Sequence, residues 1–228
     1  MVILKSFFQR FIGSSIPTGI EGTDGARWVL KMRGVGNGTQ SLLSEFLVNR
    51  SAVTLGLPVP GAEIVLIPQG FPWTFGTDEF DEIVQRSYGL NLGLEYLGPC
   101  QGLTADEIRA LPLELRTAMA TLDAFFLNYD RLPGSQNVLR DPEGRVWLID
   151  HGSCLFLNPD FAAKPLALAK GHVLGEGMNP LIDRSLIPEL AKAAKAVLPD
   201  VPLEWLTATD LDLDQTRSLI DIRVRAVS

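Results

Sequence analysis

The amino-acid sequence predicts an α+β protein in two parts, strand-rich to about Leu97 and helix-rich from Gly98 onward. Three observations carry this expectation. Short apolar runs with the alternation of half-buried strands recur before Leu97. Gly98-Pro99 breaks the chain where they stop. Beyond that break, apolar residues return at helical spacing, as in Leu115, Met119, Leu122, Phe125 and Phe126. The 228 residues, 46% of them apolar, suffice for one large domain or two parts of about 100 residues each with a packed core.

Taken in order, residues 2–12 alternate loosely and read as a strand, followed by the loop Gly13-Ser14-Ser15-Ile16-Pro17, a short strand and the turn Gly22-Thr23-Asp24-Gly25. In the next strand Trp28, Leu30 and Met32 share one face, so Val29 and Lys31 share the other. Thr39 is placed to cap a helix with apolar positions Leu42, Leu43, Phe46, Leu47 and Val53, which Gly56 ends. Glu45 lies at the edge of that stripe, partly turned toward the protein body. Glu63–Ile67 is β-rich; residues 68–88 read as loop with one helical turn near Glu79–Val84; Leu90–Leu97 reads as a strand. Thr104-Ala105-Asp106-Glu107 caps a short helix, and Pro112 begins a longer one. A Gly- and Pro-rich stretch then runs to about Pro180, with a helix near Ser185–Leu198, a break at Pro199–Pro202 and a final helix from about Asp212.

Composition excludes several classes. Twenty Lys and Arg against 27 Asp and Glu leave a net charge of −7, which argues against a nucleic-acid footprint. Cys100 and Cys154 form no metal-binding or C-x-x-C pattern and read as free thiols in a reducing compartment. The N-terminal apolar stretch is interrupted by Lys5 and Arg10 and has no small-residue cleavage site, so it does not read as a signal peptide. No apolar run approaches the roughly 20 residues of a membrane-spanning helix. A cytoplasmic protein is expected.

The stretch Leu127–Gly152 carries the chemistry. Val138-Leu139 and Val146–Ile149 flank Asp141-Pro142-Glu143-Gly144, whose Pro and Gly suit a type I turn, so the segment reads as a hairpin. Asp130 and Asn137 at its start and Asp150 at its end bring three oxygen-bearing side chains together, as a hard cation such as Mg²⁺ and a phosphoryl acceptor require. Singly, each residue has an ordinary reading: Lys31 as a solvated strand residue, Glu45 as a helix-surface acid, Asp150 as a turn former. In sequence, a small loop between strands, a strand Lys, a helix Glu, an Asp-Arg pair, an Asn and an Asp-x-Gly are the parts of a kinase in kinase order.

The chain resembles the HipA-like kinases, specifically their compact stand-alone domains. The resemblance rests on Gly13-Ser14-Ser15-Ile16-Pro17, Val29-Leu30-Lys31, the Glu45 helix with Leu55–Pro60, Asn128-Tyr129-Asp130-Arg131 and Leu148-Ile149-Asp150-His151-Gly152. It implies a protein-kinase-like bilobal fold, with a β-rich nucleotide-binding lobe over 1–97 and a helical catalytic lobe over 98–228. It also implies ATP and Mg²⁺ as cofactors. Gly13, Ser14 and Ser15 would form the phosphate loop, Ser14 and Ser15 being candidate autophosphorylation sites. Val29 would roof the adenine, and the backbone of Glu95, Tyr96 and Leu97 would form its hinge. Lys31 would hold phosphates with Glu45 as its partner, and Asp130 would be the catalytic base. Asn137 and Asp150 would hold the metal. These families place the metal-binding Asn where this chain has Ser135, but the separation of Asn137 from Asp150 fits the hairpin, so Asn137 is preferred and Ser135 is the fallback. His151 fills the variable slot of Asp-x-Gly, and His172 falls in a polar loop.

The resemblance favours a protein Ser/Thr hydroxyl as acceptor and an antitoxin-like regulatory partner. A small-molecule or lipid kinase is the alternative within the class. A pseudokinase, binding nucleotide or a partner without turnover, is the alternative outside it.

Overall fold

The computed structural model describes residues 1–72, 77–175 and 179–226. Strand β1 (Val2–Arg10) turns Val2 and Leu4 inward and Ile3 and Lys5 outward. It pairs antiparallel with β2 (Thr18–Gly22), which pairs with β3 (Arg27–Lys31) through a turn closed by the Gly22 N–H donating to the Ala26 carbonyl at 2.9 Å. Helix α1 (Thr39–Thr54) follows, then β4 (Ala62–Ile67), α2 (Asp78–Arg86) and β5 (Gly89–Glu95). The strands run in the order β1-β2-β3-β5-β4 and close into a barrel, because Val2 and Ile3 pair in parallel with Val65 and Leu66. Ile20, Leu30, Met32, Val65 and Ile67 fill it, and Phe80, Ile83 and Val84 of α2 add to the same apolar cluster.

Of the loop expected over 68–88, residues 73–76 lie outside the described residues; helix α2 contains the helical turn expected near Glu79–Val84 and is longer, at nine residues. Its apolar positions at i, i+3 and i+4 are set among acids that raise the polarity of the sequence, yet they suffice to pack a short helix on the barrel. The strand expected to reach Leu97 stops at Glu95.

Helix α1 starts differently from expectation. Gly38, with φ 58° and ψ −139°, occupies the capping position without a side-chain cap bond, and Thr39 is already helical. A β-branched residue disfavours that backbone conformation, and glycine does not. Gly56 (φ 68°) ends the helix: its N–H donates to Val53 O at 3.0 Å, and the Leu57 N–H donates to Ala52 O at 3.0 Å, a Schellman closure. Every residue from Leu42 to Asn49 is buried, so α1 has no solvent stripe at its centre; Val53, placed on the apolar face by spacing, is exposed.

The remainder comprises β6 (Gln101–Gly102), α3 (Ala105–Arg109), α4 (Leu113–Phe126), β7 (Val138–Arg140), β8 (Val146–Leu148), α5 (Pro159–Ala162), α6 (Ile187–Val197), α7 (Leu203–Ala208) and α8 (Leu213–Arg225). Thr104 and Glu107 form the expected capping box. The hairpin β7–β8 turns where Pro142 and Gly144 place it, with the Gly144 N–H donating to Asp141 O at 3.0 Å, and β6 extends it to three strands. The Gly- and Pro-rich stretch before Pro180 lies partly outside the described residues, at 176–178.

Helix α7 is missing from the expected order, since prolines at 199 and 202 read as a plain break. Pro202 instead caps it, and Trp205 is completely buried, its ring edge-on to Phe46 of α1 at 5.9 Å and its Nε1 donating to Leu90 O at 3.1 Å. Helices α6 and α7 therefore cover the side of α1 that the barrel leaves open, which explains its all-round burial. Cys154 is buried and Cys100 half-buried, both as free thiols. Among the described residues no helix is long and apolar enough to cross a membrane.

Candidate active site

Three elements distant in sequence meet at one lysine. Lys31 ends β3, Glu45 faces it from α1, and Asp150 follows β8. The Lys31 Nζ lies 2.9 Å from Asp150 Oδ1 and 3.5 Å from Glu45 Oε2. Strand alternation aims Lys31 this way: Leu30 and Met32 point into the barrel, while Val29 packs against the larger core. Glu45 is only 1% exposed, which corrects its expected half-turned position. Burial alone would lower the Lys31 pKa, but the two carboxylates outweigh it and hold the ammonium well above its ordinary range. Glu45 is raised by desolvation, with the Lys31 ammonium and the His151 N–H pulling the other way. Burial works to raise Asp150 as well, but Lys31 prevails and holds this carboxyl below the usual range.

The glycine of Asp-x-Gly lets that segment approach α1 closely. A Cβ at Gly152 would sit 2.1 Å from Ser41 Oγ and 3.5 Å from Glu45 Oε2. Asp150 itself is left-handed at φ 62°, a conformation Asp tolerates better than most residues.

Helix α4 delivers the second half of the site. It ends on Leu127, left-handed at φ 56°, and Asn128 then ties the chain by accepting the Asp130 N–H at 3.0 Å and donating to Asp123 Oδ1 at 2.9 Å. Asp130 is half-buried, and desolvation followed by the nearby Asp150 charge pushes its carboxyl upward. Asn137 is 6% exposed at the mouth of the hairpin, its carbonyl accepting the Ile149 N–H at 3.1 Å and its Nδ2 donating to Asp130 O at 3.2 Å. Asn137 thus ties the Asp130 backbone to the strand end that precedes Asp150, and all three residues carry side-chain oxygens of the kind a hard cation takes. Ser135 sits in the loop between Asp130 and Asn137, its N–H on the Leu132 carbonyl at 3.1 Å. Gly134 (φ 86°) and Gln136 (φ 56°) on either side of it are left-handed.

A buried polar network behind these residues escaped sequence reasoning. Arg131, 1% exposed, donates from Nε and Nη2 to the two oxygens of Asp123 at 2.5 and 3.2 Å and from Nη1 to Asn137 O. Its Nη2 also lies 3.0 Å from His151 Nε2. A guanidinium only donates, so this nitrogen accepts and Nδ1–H donates to Asn49 Oδ1 at 2.8 Å. Asn49 Nδ2 passes the chain to Pro60 O at 3.1 Å. Burial, then the Arg131 charge, pushes His151 down to about 3, so it is neutral. His172, expected in a polar loop, is instead buried with Nε2 2.9 Å from Asp123 Oδ2. Burial would raise Asp123, yet Arg131 and His172 hold it far below the carboxylate range. The available signals were slight: Asn49 stands four residues after Glu45 on one helix, and Asp123 interrupts an apolar run.

The other predicted positions lie on the sheet. Gly13 and Ser14 are exposed and Ser15 half-buried at the tip of the β1–β2 hairpin, which is closed by the Phe11 N–H on Pro17 O at 2.9 Å. Of the expected hinge, the Glu95 N–H is engaged by Gly61 O at 2.8 Å and the Tyr96 N–H by Arg27 O at 3.3 Å, which leaves Leu97 as the position whose amide is outside the ladder. Beside Val29, Gly19 carries no side chain, and the Phe8 ring occupies that space, 2.6 Å from where a Cβ would lie. Phe8 stands edge-on to Tyr96 at 5.3 Å.

A crystal structure of a proinflammatory kinase, CtkA, from Helicobacter pylori is similar in fold, with 12% identity over 97% of this chain and 95% of that one and a TM-score of 0.53. No curated protein matches the sequence significantly. The model of the HipA-like kinase family matches residues 7–225. Because that match runs from within β1 to the end of α8, the chain belongs to the HipA-like kinase family, whose chemistry is kinase-type phosphoryl transfer.

Proposed function

We propose that this protein is an ATP- and Mg²⁺-dependent kinase that phosphorylates a Ser or Thr hydroxyl of another protein. The observation that carries the proposal is the meeting of Lys31, Glu45 and Asp150 from three separate elements, a cation held between one buried and one half-exposed carboxylate. In this reading residues 1–97 and 98–228 form the two lobes of one kinase-like domain, with the nucleotide between them. Val29 and Phe8 cover the purine, and Leu97 meets its edge. Lys31, oriented by Glu45, neutralises phosphate oxygens, and the β1–β2 tip with Gly13, Ser14 and Ser15 lies over them.

Asn137 and Asp150 would hold Mg²⁺, which supplies charge neutralisation to the phosphates when bound. Asp130 accepts the proton of the attacking hydroxyl as that oxygen bonds to the γ-phosphorus and the bond to the bridging oxygen breaks, releasing ADP. Its upward-shifted carboxyl suits it to that proton. The rest of the acceleration lies in positioning and fixed charge.

Ligand-induced thermal shift and turnover test the proposal together. ATP with Mg²⁺ should raise the melting temperature; Asp150→Ala should abolish the metal-dependent part; Asp130→Ala should keep the shift and lose transfer. A wild type that binds nucleotide but consumes no ATP with any acceptor would reduce the protein to a nucleotide-binding module. A wild type that does not bind ATP would end the kinase proposal for this site.

A further inference from the structure

A cavity of about 690 Å³ opens beside Asp130. Its walls come from four places: Asn37 and Gln40 around the start of α1, Tyr129 and Asp130 after α4, residues between Gly152 and Pro159, and Thr209–Leu211 at the corner between α7 and α8. Asp130 and Ser153 both line it. An attacking hydroxyl must approach Asp130, and this is a volume that reaches it, large enough for several side chains of an acceptor.

The charges on that wall are one-sided. Asp130 and Asp210 are the ionisable charged residues lining the cavity, and no Lys, Arg or His joins them among the described residues. Asp210 is exposed and, among the described residues, has no cation within ion-pair distance. The corner holds it in place: its backbone is left-handed at φ 55°, its N–H lies on Thr207 O at 3.3 Å, and Asp212 two residues on begins α8 with a capping box. The remaining polar wall, which includes Asn37, Gln40, Ser153, Asn158 and Thr209, offers neutral donors and acceptors that suit a peptide backbone.

We propose that this cavity is the acceptor site, and that Asp210 selects a Ser or Thr flanked by basic residues. The proposal rests on the kinase reading above. An acidic neighbour on the acceptor would meet two carboxylates and no cation, whereas an Arg or Lys would pair with Asp210 and be drawn in by the field of both. Asp210 is a specificity residue in this scheme and takes no part in phosphoryl transfer.

Two peptides test this, identical at a central Ser and carrying either Arg or Glu on both sides. Each is presented with ATP and Mg²⁺ to the full-length wild type and to Asp210→Asn, a substitution that tolerates the left-handed backbone. The expected result is a kcat/KM for the Arg peptide about 2- to 10-fold above that for the Glu peptide, narrowing in D210N and at high salt. The ATP-dependent thermal shift, read in parallel, should be equal in both proteins. Equal rates, a preference for the Glu peptide, or a preference that survives D210N undiminished would overturn the proposal. So would transfer to neither peptide while the ATP shift persists, which leaves the nucleotide site standing. Loss of the ATP shift in wild type would instead remove the kinase reading, and this inference with it.

Discussion

Lowering the pH from 7 to 5 should destabilise this protein through a single buried ring. His151 is fully buried and neutral, with Nε2 on Arg131 and Nδ1–H on Asn49, and its native pKa is pushed down to about 3 against an ordinary 6.5. Between those values the unfolded chain binds one proton more than the native state, so stability falls as pH falls. The full slope is about 1.4 kcal/mol per pH unit, and from pH 7 to pH 5 it amounts to about 2 kcal/mol. Asp123, Asp150, Arg131 and Lys31 all act electrostatically on the ring, so the measurement needs an internal control. His151→Gln keeps a donor and an acceptor and does not titrate; it loses some stability at every pH, but its pH slope should be shallower than that of wild type. Urea denaturation of both proteins at pH 7, 6 and 5 gives the two slopes. Parallel slopes, differing by less than about 0.5 kcal/mol across the range, would refute the neutral, buried assignment.

Asp123→Ala strips the buried Arg131 guanidinium of its carboxylate partner and should cost about 3–5 kcal/mol in chemical denaturation; a loss below about 1 kcal/mol would mean that Arg131 finds water or another acceptor. Gly152→Ala should cut turnover by pressing on Ser41 and, through it, on Glu45, and Ser41→Ala in the same chain should restore part of it. No recovery in the double variant would place the defect elsewhere. Phe8→Ala should weaken ATP binding about 3- to 10-fold by removing ring contact with the purine, measured by titration calorimetry; an unchanged Kd would take Phe8 out of the nucleotide site.

Much of the backbone was legible in the sequence for local reasons. The alternation of Trp28, Leu30 and Met32 put Lys31 on the correct face, and Pro142 and Gly144 located the hairpin turn. The position of Asn137 at the mouth of that hairpin followed from the strand-turn-strand pattern that begins at Val138. Contacts between distant segments were not legible. Glu45 read as half-turned because nothing near it in sequence announces that α6 and α7 cover α1. His151 read as filler because its partner Asn49 lies 102 residues away. Helix α2 was obscured because polar residues dominate it, and α7 because a proline that begins a helix resembles one that ends a strand or loop.

The all-round burial of α1 bears on how activity in this protein can be governed. A helix that carries the partner of a catalytic lysine on a loose outer face can swing and switch the site off. Here Phe46 is locked against Trp205, Arg50 pairs with Asp200 at 3.2 Å, and Asn49 is bonded into the network that holds the Asp130 loop. Swinging α1 outward would break the packing of the C-terminal helices on it and its bond to the loop network together. Lys31 and Glu45 are therefore paired by construction. The exposed Gly13 and Ser14 at the β1–β2 tip lie outside that packing.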